Sequence, residues 1–418
     1  MADIIPALGH NLTNPIDEPP WGKPEFKLPG WTEPVMILSV LFGSMIITRR
    51  RGYRILGGKP GPYKSSLDTS PSEARSTDEL LDYDSENDDD RQSLYAQEKT
   101  LPKTRSCLGL VHIHTPNSSR FKNHLHSRLL QRFPFLVEMF YWGINWAFYR
   151  TTAYLANELY KDTGIWHVAQ AHGLNILEAE QLTWLRLFFP VHELDVQHWF
   201  LHGHQTALTV LNRAYSLVHI PGTVGFIAWY YYAAPSHPTF AVVRRTITLT
   251  NFLAFLTFIL YPVMPPRFLP KEYGFLDTVR HDDAQSVWMS GKYVNALAAM
   301  PSMHLGYSFA IGCTLLHHSG LCRRHLEKNE ARKNLCWKTL YILLGVLYPV
   351  TILVTIIATA NHYWLDAVAA VTYVCVAWWS NRIFYVFVPL EDWFLCLIRA
   401  EKPIPSTGER FHARGGRL

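Results

Sequence analysis

AAMPSMHLG, residues 298–306, sets a proline, a serine and a histidine at the head of an apolar run that continues to residue 318. About 20 helical residues cross the roughly 30 Å hydrocarbon layer of a bilayer. The run reads as a membrane helix, and an ionisable group at its edge is costly unless it has a partner or a task. Apolar blocks of similar character lie at 31–48, 134–155, 207–232, 246–264, 339–360 and 365–388, which with 304–318 makes seven expected spans. The fold class this predicts is all-α, a polytopic bundle of membrane helices.

Composition agrees once it is read in blocks. The 418 residues are 48% hydrophobic and 14% aromatic, and the mean hydropathy of -0.01 averages very apolar stretches with very polar ones. The net charge of +5 gives no ground for a nucleic-acid partner. Its placement says more. Arg49, Arg50 and Arg51 follow the first span, Arg244 and Arg245 precede the fourth, and Arg323, Arg324, Lys328, Arg332 and Lys333 separate the fifth from the sixth. Arg399, Lys402, Arg410, Arg414 and Arg417 follow the seventh. All of these fall on one side if the N-terminus is luminal and the C-terminus cytosolic, as the positive-inside rule requires. The six cysteines form no CxxC pair and none falls in an expected luminal loop, so no disulfide framework is expected.

Residues 1–30 are polar and proline-rich, without the pattern of a cleavable signal, and read as a luminal tail. Span 31–48 is an extra transmembrane helix. Residues 49–130 form a cytosolic linker whose acidic, serine-rich part, 64–100, has too few apolar side chains to offset its ordering entropy. The membrane domain is 131–390 and a cytosolic tail is 391–418. Within that domain, 156–206 has mixed polarity and helical periodicity, the pattern of amphipathic helices at the luminal surface. His202, His204, His317 and His318 have spacings that could suit a metal, but without acidic or thiol partners at ligand spacing they read as interfacial.

Two ionisable blocks reach the same expected face. One is His304. The other is NHYWLD, residues 361–366, where His362 and Asp366 stand four apart and share a side if helical. A carboxylate on one imidazole nitrogen fixes the tautomer and leaves the other nitrogen as a nucleophile. A second histidine can protonate the leaving oxygen. YPVMPPRFLP, residues 261–270, adds Arg267, a bidentate donor for phosphoryl oxygens. The helix starts at His304 and near His362 are expected to offer backbone N–H groups to an anion. Ser302 and Asn361 are candidate phosphate contacts, with Asn361 also a candidate helix cap.

Pro301-Ser302-Met303-His304 and His362-Tyr-Trp-Leu-Asp366 resemble two of the three blocks of the type 2 phosphatidic acid phosphatase (PAP2) superfamily. PPRFLP, GFLDT (274–278), AAMPSMH and NHYWLD are similar to the branch containing inositol phosphorylceramide synthases. The likeness covers about 135–390 and implies a six-helix core, here with one extra N-terminal span. The family's usual lysine, seven residues before Arg267, is Leu260 here. Its Ser-Arg pair, seven residues before the last histidine, is Thr355-Ile356. Arg280, Lys271 or Lys292 could take the place of the missing arginine, and a reduced clamp favours a phosphodiester over a phosphomonoester.

The resemblance implies a lipid phosphotransferase with His362 as nucleophile, Asp366 as its orienting partner, His304 as acid and base, and Arg267 on phosphoryl oxygens. The implied donor is phosphatidylinositol and the implied acceptor a ceramide-type alcohol, with no metal or cofactor, in a Golgi or ER membrane with the site facing the lumen. A lipid phosphate phosphatase, with water as acceptor, is one alternative. A non-catalytic transporter or scaffold of the same fold is another.

Overall fold

The computed structural model describes residues 31–51, 53–56, 102–107, 111–182, 186–215, 219–281, 296–321 and 335–408. The expected luminal tail 1–30, the acidic stretch 64–100, Lys292 and the basic stretch 323–333 lie outside the described residues. What is described is mostly helical, with helices α1 (Thr32–Ile47), α2 (Leu125–Arg132), α3 (Leu136–Leu159), α4 (Ile165–Glu180), α5 (Glu193–Leu201) and α6 (Gln205–Arg213). They continue as α7 (His219–Ala233), α8 (His237–Leu260), α9 (Met303–Ser319), α10 (Leu335–Ala358), α11 (Trp364–Ser380) and α12 (Val388–Leu397). Strands β1 (Lys103–Cys107) and β2 (Val111–Thr115) form one antiparallel hairpin.

The seven expected spans fare unequally. Two described helices, α8 and α10, are both long and apolar enough to cross a membrane, and a shorter apolar helix covers Pro34–Ile47. Of the block 207–232, α6 and α7 are described, with 216–218 outside the described residues, and the block 365–388 passes from α11 into a 3₁₀ segment at Asn381–Phe387. Blocks 134–155 and 304–318 are represented by α3 and α9.

The chain divides into two compact units. The first takes residues up to 39, 144–226 and 246–379. Its framework is the pair α9–α10. Ser302 opens α9, its hydroxyl accepting from the Leu305 amide, and Gly320 closes it in the left-handed conformation at φ 84°. The two helices approach through glycines: a Cβ at Gly312 would lie 2.5 Å from the Gly345 carbonyl and 3.1 Å from the Pro349 ring. Small residues of this kind let helix backbones come close where van der Waals contact has to hold them. Tyr215, Leu305, Ile352, Ile356, Ile357, Ala367 and Ala370 form a buried cluster joining α9, α10 and α11.

The second unit takes residues 40–143, 227–245 and 380–408 of the described chain. The hairpin is fastened to α12 because Asp392 accepts from Arg105 Nε at 2.8 Å and from Thr115 Oγ1 at 2.8 Å. Burial alone would raise the Asp392 carboxyl, but these donors carry it below the usual carboxylate range. Arg244 on α8 pairs with Glu138 on α3 at 2.6 Å. The expected linker 49–130 thus holds the hairpin and most of α2 (Leu125–Arg132).

Candidate active site

All six candidate residues fall in the first unit, and backbone bonds stitch their three blocks together. Val263 pairs with Ala298 in a parallel bridge, its N–H donating to the Leu297 carbonyl while Ala299 donates to the Val263 carbonyl. Arg267 N–H donates to the Ala360 carbonyl, and Ser302 N–H to the Asp366 carbonyl. α10 ends by turning at Ala360, which has φ 50°, and both Asn361 and His362 donate their amides back to the Ile356 carbonyl. A non-glycine residue in the left-handed region costs about 1–2 kcal/mol. Here that turn delivers His362 to the other blocks.

His362 is 4% exposed and lies before α11, not on it. Its Nδ1 is 2.7 Å from the Ala299 carbonyl oxygen and 3.4 Å from Asp366 Oδ2. A carbonyl only accepts, so Nδ1 carries a hydrogen, and in the neutral form of the ring the lone pair lies on Nε2. That Nε2 is buried and has no hydrogen-bond partner. The expected Asp366 contact is thus present, and the Ala299 carbonyl, supplied by the His304 block itself, is a second and nearer acceptor. Asp366, fully buried, spends Oδ2 first on the Tyr363 amide at 2.9 Å. This is the back-reach of an N3 carboxylate to the first amide of its helix.

The His304 ring lies 5.9 Å from that of His362, centroid to centroid, and stacks on Tyr215 at 4.0 Å with an 18° tilt. Arg267 presents Nη1 to Asp277 at 3.2 Å and its Cζ over the Phe268 ring, while its Nε is buried without a partner. Gln197 holds the segment bearing Asp277 by donating to the Leu276 carbonyl and accepting the Leu276 amide. Asn212 does the same service at Thr278.

The remaining expectations are placed as follows. Ser302, fully buried, caps α9. Asn361 does not cap α11; its side chain donates to Thr359 Oγ1 at 2.6 Å. Lys271 is exposed in a 3₁₀ turn, and Arg280 lies in the helical turn Thr278–His281. His204 stacks on Trp199 at 3.7 Å and His202 Nδ1 meets the His198 carbonyl, so both are engaged locally.

The α11 start does not offer bare N–H groups to an anion. Tyr363, Trp364 and Leu365 donate in turn to Asp366, to Glu193 at 3.0 Å and to Glu180 at 2.7 Å. Glu180 closes α4 and Glu193 opens α5, two helices that sequence periodicity assigned to a surface. Sequence reasoning missed both carboxylates, together with Tyr215 and Asp277. The spacing of Glu180 and Glu193 gives no sign that they converge on residues over 170 positions away; their only mark is acidic charge within a stretch otherwise rich in apolar side chains.

Against known proteins, residues 181–325 and 331–380 match the family model described as the PAP2 superfamily. No curated protein and no solved structure matches the chain. The matched segments contain Arg267, Ser302, His304, Asn361, His362 and Asp366, and this part of the chain is similar to that superfamily.

Proposed function

We propose that this protein is an integral-membrane lipid phosphotransferase working through a phosphohistidine, moving phosphoinositol from phosphatidylinositol to a ceramide-type alcohol. The observation that carries the reading is the His362 imidazole, with Nδ1–H held by the Ala299 carbonyl and an unpartnered Nε2 beside the His304 ring. A reacting phosphorus sits about 3–3.5 Å from its nucleophile, and a leaving oxygen about 2.6–3.2 Å from its acid. Rings 5.9 Å apart accommodate both.

In the first step Nε2 attacks phosphorus and the bond to the diacylglycerol oxygen breaks as His304 donates its proton. In the second His304 takes the proton of the acceptor hydroxyl, the new oxygen–phosphorus bond forms and the nitrogen–phosphorus bond breaks. Arg267 has donors beyond the one on Asp277 and holds phosphoryl oxygens. Asp366 stabilises the positive charge of the phosphorylated imidazole. Protein cations serve this chemistry without a metal.

A membrane location is supported by α10, of whose apolar window only 28% is buried. Leu343, Leu344, Leu347 and Val350 on it are about half exposed, which suits lipid and not water. The basic segments support a site on the side opposite the cytosol, and the proposed compartment is the lumen of an endomembrane, Golgi or ER.

The test uses detergent-purified protein with labelled phosphatidylinositol plus ceramide, beside labelled phosphatidate alone. Label passing to ceramide, and a base-stable, acid-labile phosphoenzyme lost in His362→Ala, is the expected result. His304→Ala should slow turnover by roughly 10²–10⁴-fold, and less with a nitrophenolate leaving group that needs no proton. Phosphate release from phosphatidate alone would convert the reading to a phosphatase. A normal phosphoenzyme in His362→Ala would overturn the mechanism.

A further inference from the structure

We propose that α12 is an interfacial helix, lying along the membrane surface with one face in lipid and the other on protein. This rests on the membrane location proposed above, and it moves residues 391–397 from the expected cytosolic tail to the bilayer surface. α12 has two charged side chains, Glu391 and Asp392, and the protein holds both. Asp392 is 3% exposed and accepts from Arg105 and Thr115 of the hairpin. Glu391 accepts from the Tyr141 hydroxyl at 3.1 Å and from Lys402 Nζ at 2.9 Å.

The opposite face is apolar and open. At about 100° per residue, Leu390 and Phe394 lie about 160° round the helix from Asp392, and Leu397 about 140°. Leu390 and Leu397 are 66% and 79% exposed, and Trp393 more than half. A helix on a water-facing surface turns its apolar stripe to the core and its charges outward. α12 does the reverse, which water disfavours and lipid suits.

Its two sides fix the depth. The hairpin is a two-stranded sheet, and open sheet edges do not occur within the hydrocarbon region. Successive strand residues face opposite ways, so the face that alternates with Arg105 and Thr115 carries Thr104, His112 and His114, all exposed. The hairpin belongs in water and the far side of α12 belongs out of it. That leaves the boundary between headgroups and acyl chains, where such helices bury their apolar face by about 5–10 Å.

What adjoins the face points to a bilayer as its occupant. Phe394 stacks on Phe140 of α3 at 5.5 Å with a 15° tilt, and Phe140 is itself about half exposed. The apolar surface thus continues onto a helix that the sequence reads as a span. At its border the exposed Arg120 donates to Cys396 Sγ at 3.1 Å, one turn beyond Trp393. A guanidinium and an indole at the rim of an apolar face match the level of anionic headgroups.

The experiment reconstitutes the full-length protein in phosphatidylcholine vesicles containing phosphatidylserine. Lipids brominated near the glycerol or near the chain ends quench tryptophan according to depth, and acrylamide quenches from water. The chain has 14 tryptophans, so the Trp393 signal is the difference between wild type and Trp393→Phe. His114→Trp on the Trp393→Phe background reports the hairpin side. Trp393 should lose most of its emission to the shallow bromolipid, less to the deep one and little to acrylamide. The indole placed at position 114 should respond to acrylamide alone.

Stronger quenching of Trp393 by the deep lipid would make α12 part of a span. Strong quenching by acrylamide would leave its face in water, and protection from both quenchers would put a second copy or another protein on it. Each of these overturns the proposal, as does lipid quenching at position 114. If no tryptophan responds to bromolipid, the membrane location itself fails and the proposal with it. If the others respond and Trp393 does not, the location stands and the α12 assignment alone fails.

Discussion

Replacing Asp366 by asparagine removes one charge while keeping the shape of a fully buried side chain. The amide oxygen can still accept from Tyr363 N–H, as Oδ2 does at 2.9 Å. The His362 tautomer should survive as well, because Nδ1–H has the Ala299 carbonyl at 2.7 Å. What is lost is the attraction between a carboxylate and an imidazole that becomes positive on attacking phosphorus. At the observed 3.4 Å, two unit charges interact by about 5 kcal/mol at an effective dielectric of about 20. Each ~1.4 kcal/mol is tenfold in rate, so the loss is on the order of 10³-fold. The assay is single-turnover phosphoenzyme formation by rapid quench, beside thermal unfolding of the same sample. Formation should fall by that order with little change in midpoint. A variant within tenfold of wild type would refute the charge-stabilising role and leave the carboxylate as a helix cap.

Activity should persist in excess EDTA; complete loss restored by Mg²⁺ would mean that a metal neutralises the phosphoryl charge. Cysteines introduced near Lys292 and Lys333 should label from opposite sides of sealed vesicles, and labelling from one side would break the expected topology. Gly312→Ala sets a methyl 2.5 Å from the Gly345 carbonyl, so overpacking of about 1–3 kcal/mol should lower the unfolding midpoint. Gly345→Ala meets the movable Leu316 side chain at 2.9 Å before the Gly312 carbonyl at 3.1 Å, and should cost less.

How much of this was legible in the sequence depends on the range of the interaction. Helices along α8, α9 and α10 follow from continuous apolar runs, a local property that sequence carries well. That the His304 and His362 rings come together, with the Arg267 amide bonded to the Ala360 carbonyl beside them, was legible because each block sits at the edge of such a run. The refinements come from partners that carry no sequence mark. Any residue can offer a backbone carbonyl, so nothing in Ala299 announces that it holds His362 Nδ1. Four-residue spacing predicted the Asp366 contact with His362 but assumed a helix through both. The chain instead leaves α10 at Ala358, turns at Ala360 and re-enters helix at Trp364, and the nearer acceptor on His362 comes from elsewhere.

Glu180 and Glu193 show the same limit from the opposite side. Periodicity reads acidic residues on amphipathic helices as solvated, which is the usual outcome when no donor lies inside. A helix start needs its first amides satisfied, and α11 begins where Asn361, the expected cap, has turned to Thr359. The donors were therefore predictable and their acceptors were not. Filling that helix start with carboxylates has a consequence for binding. On the proposed reading, an anionic phosphoryl group kept from the α11 start would find its donors on Arg267. Asp277, the partner of that arginine at 3.2 Å, would then hold it in place.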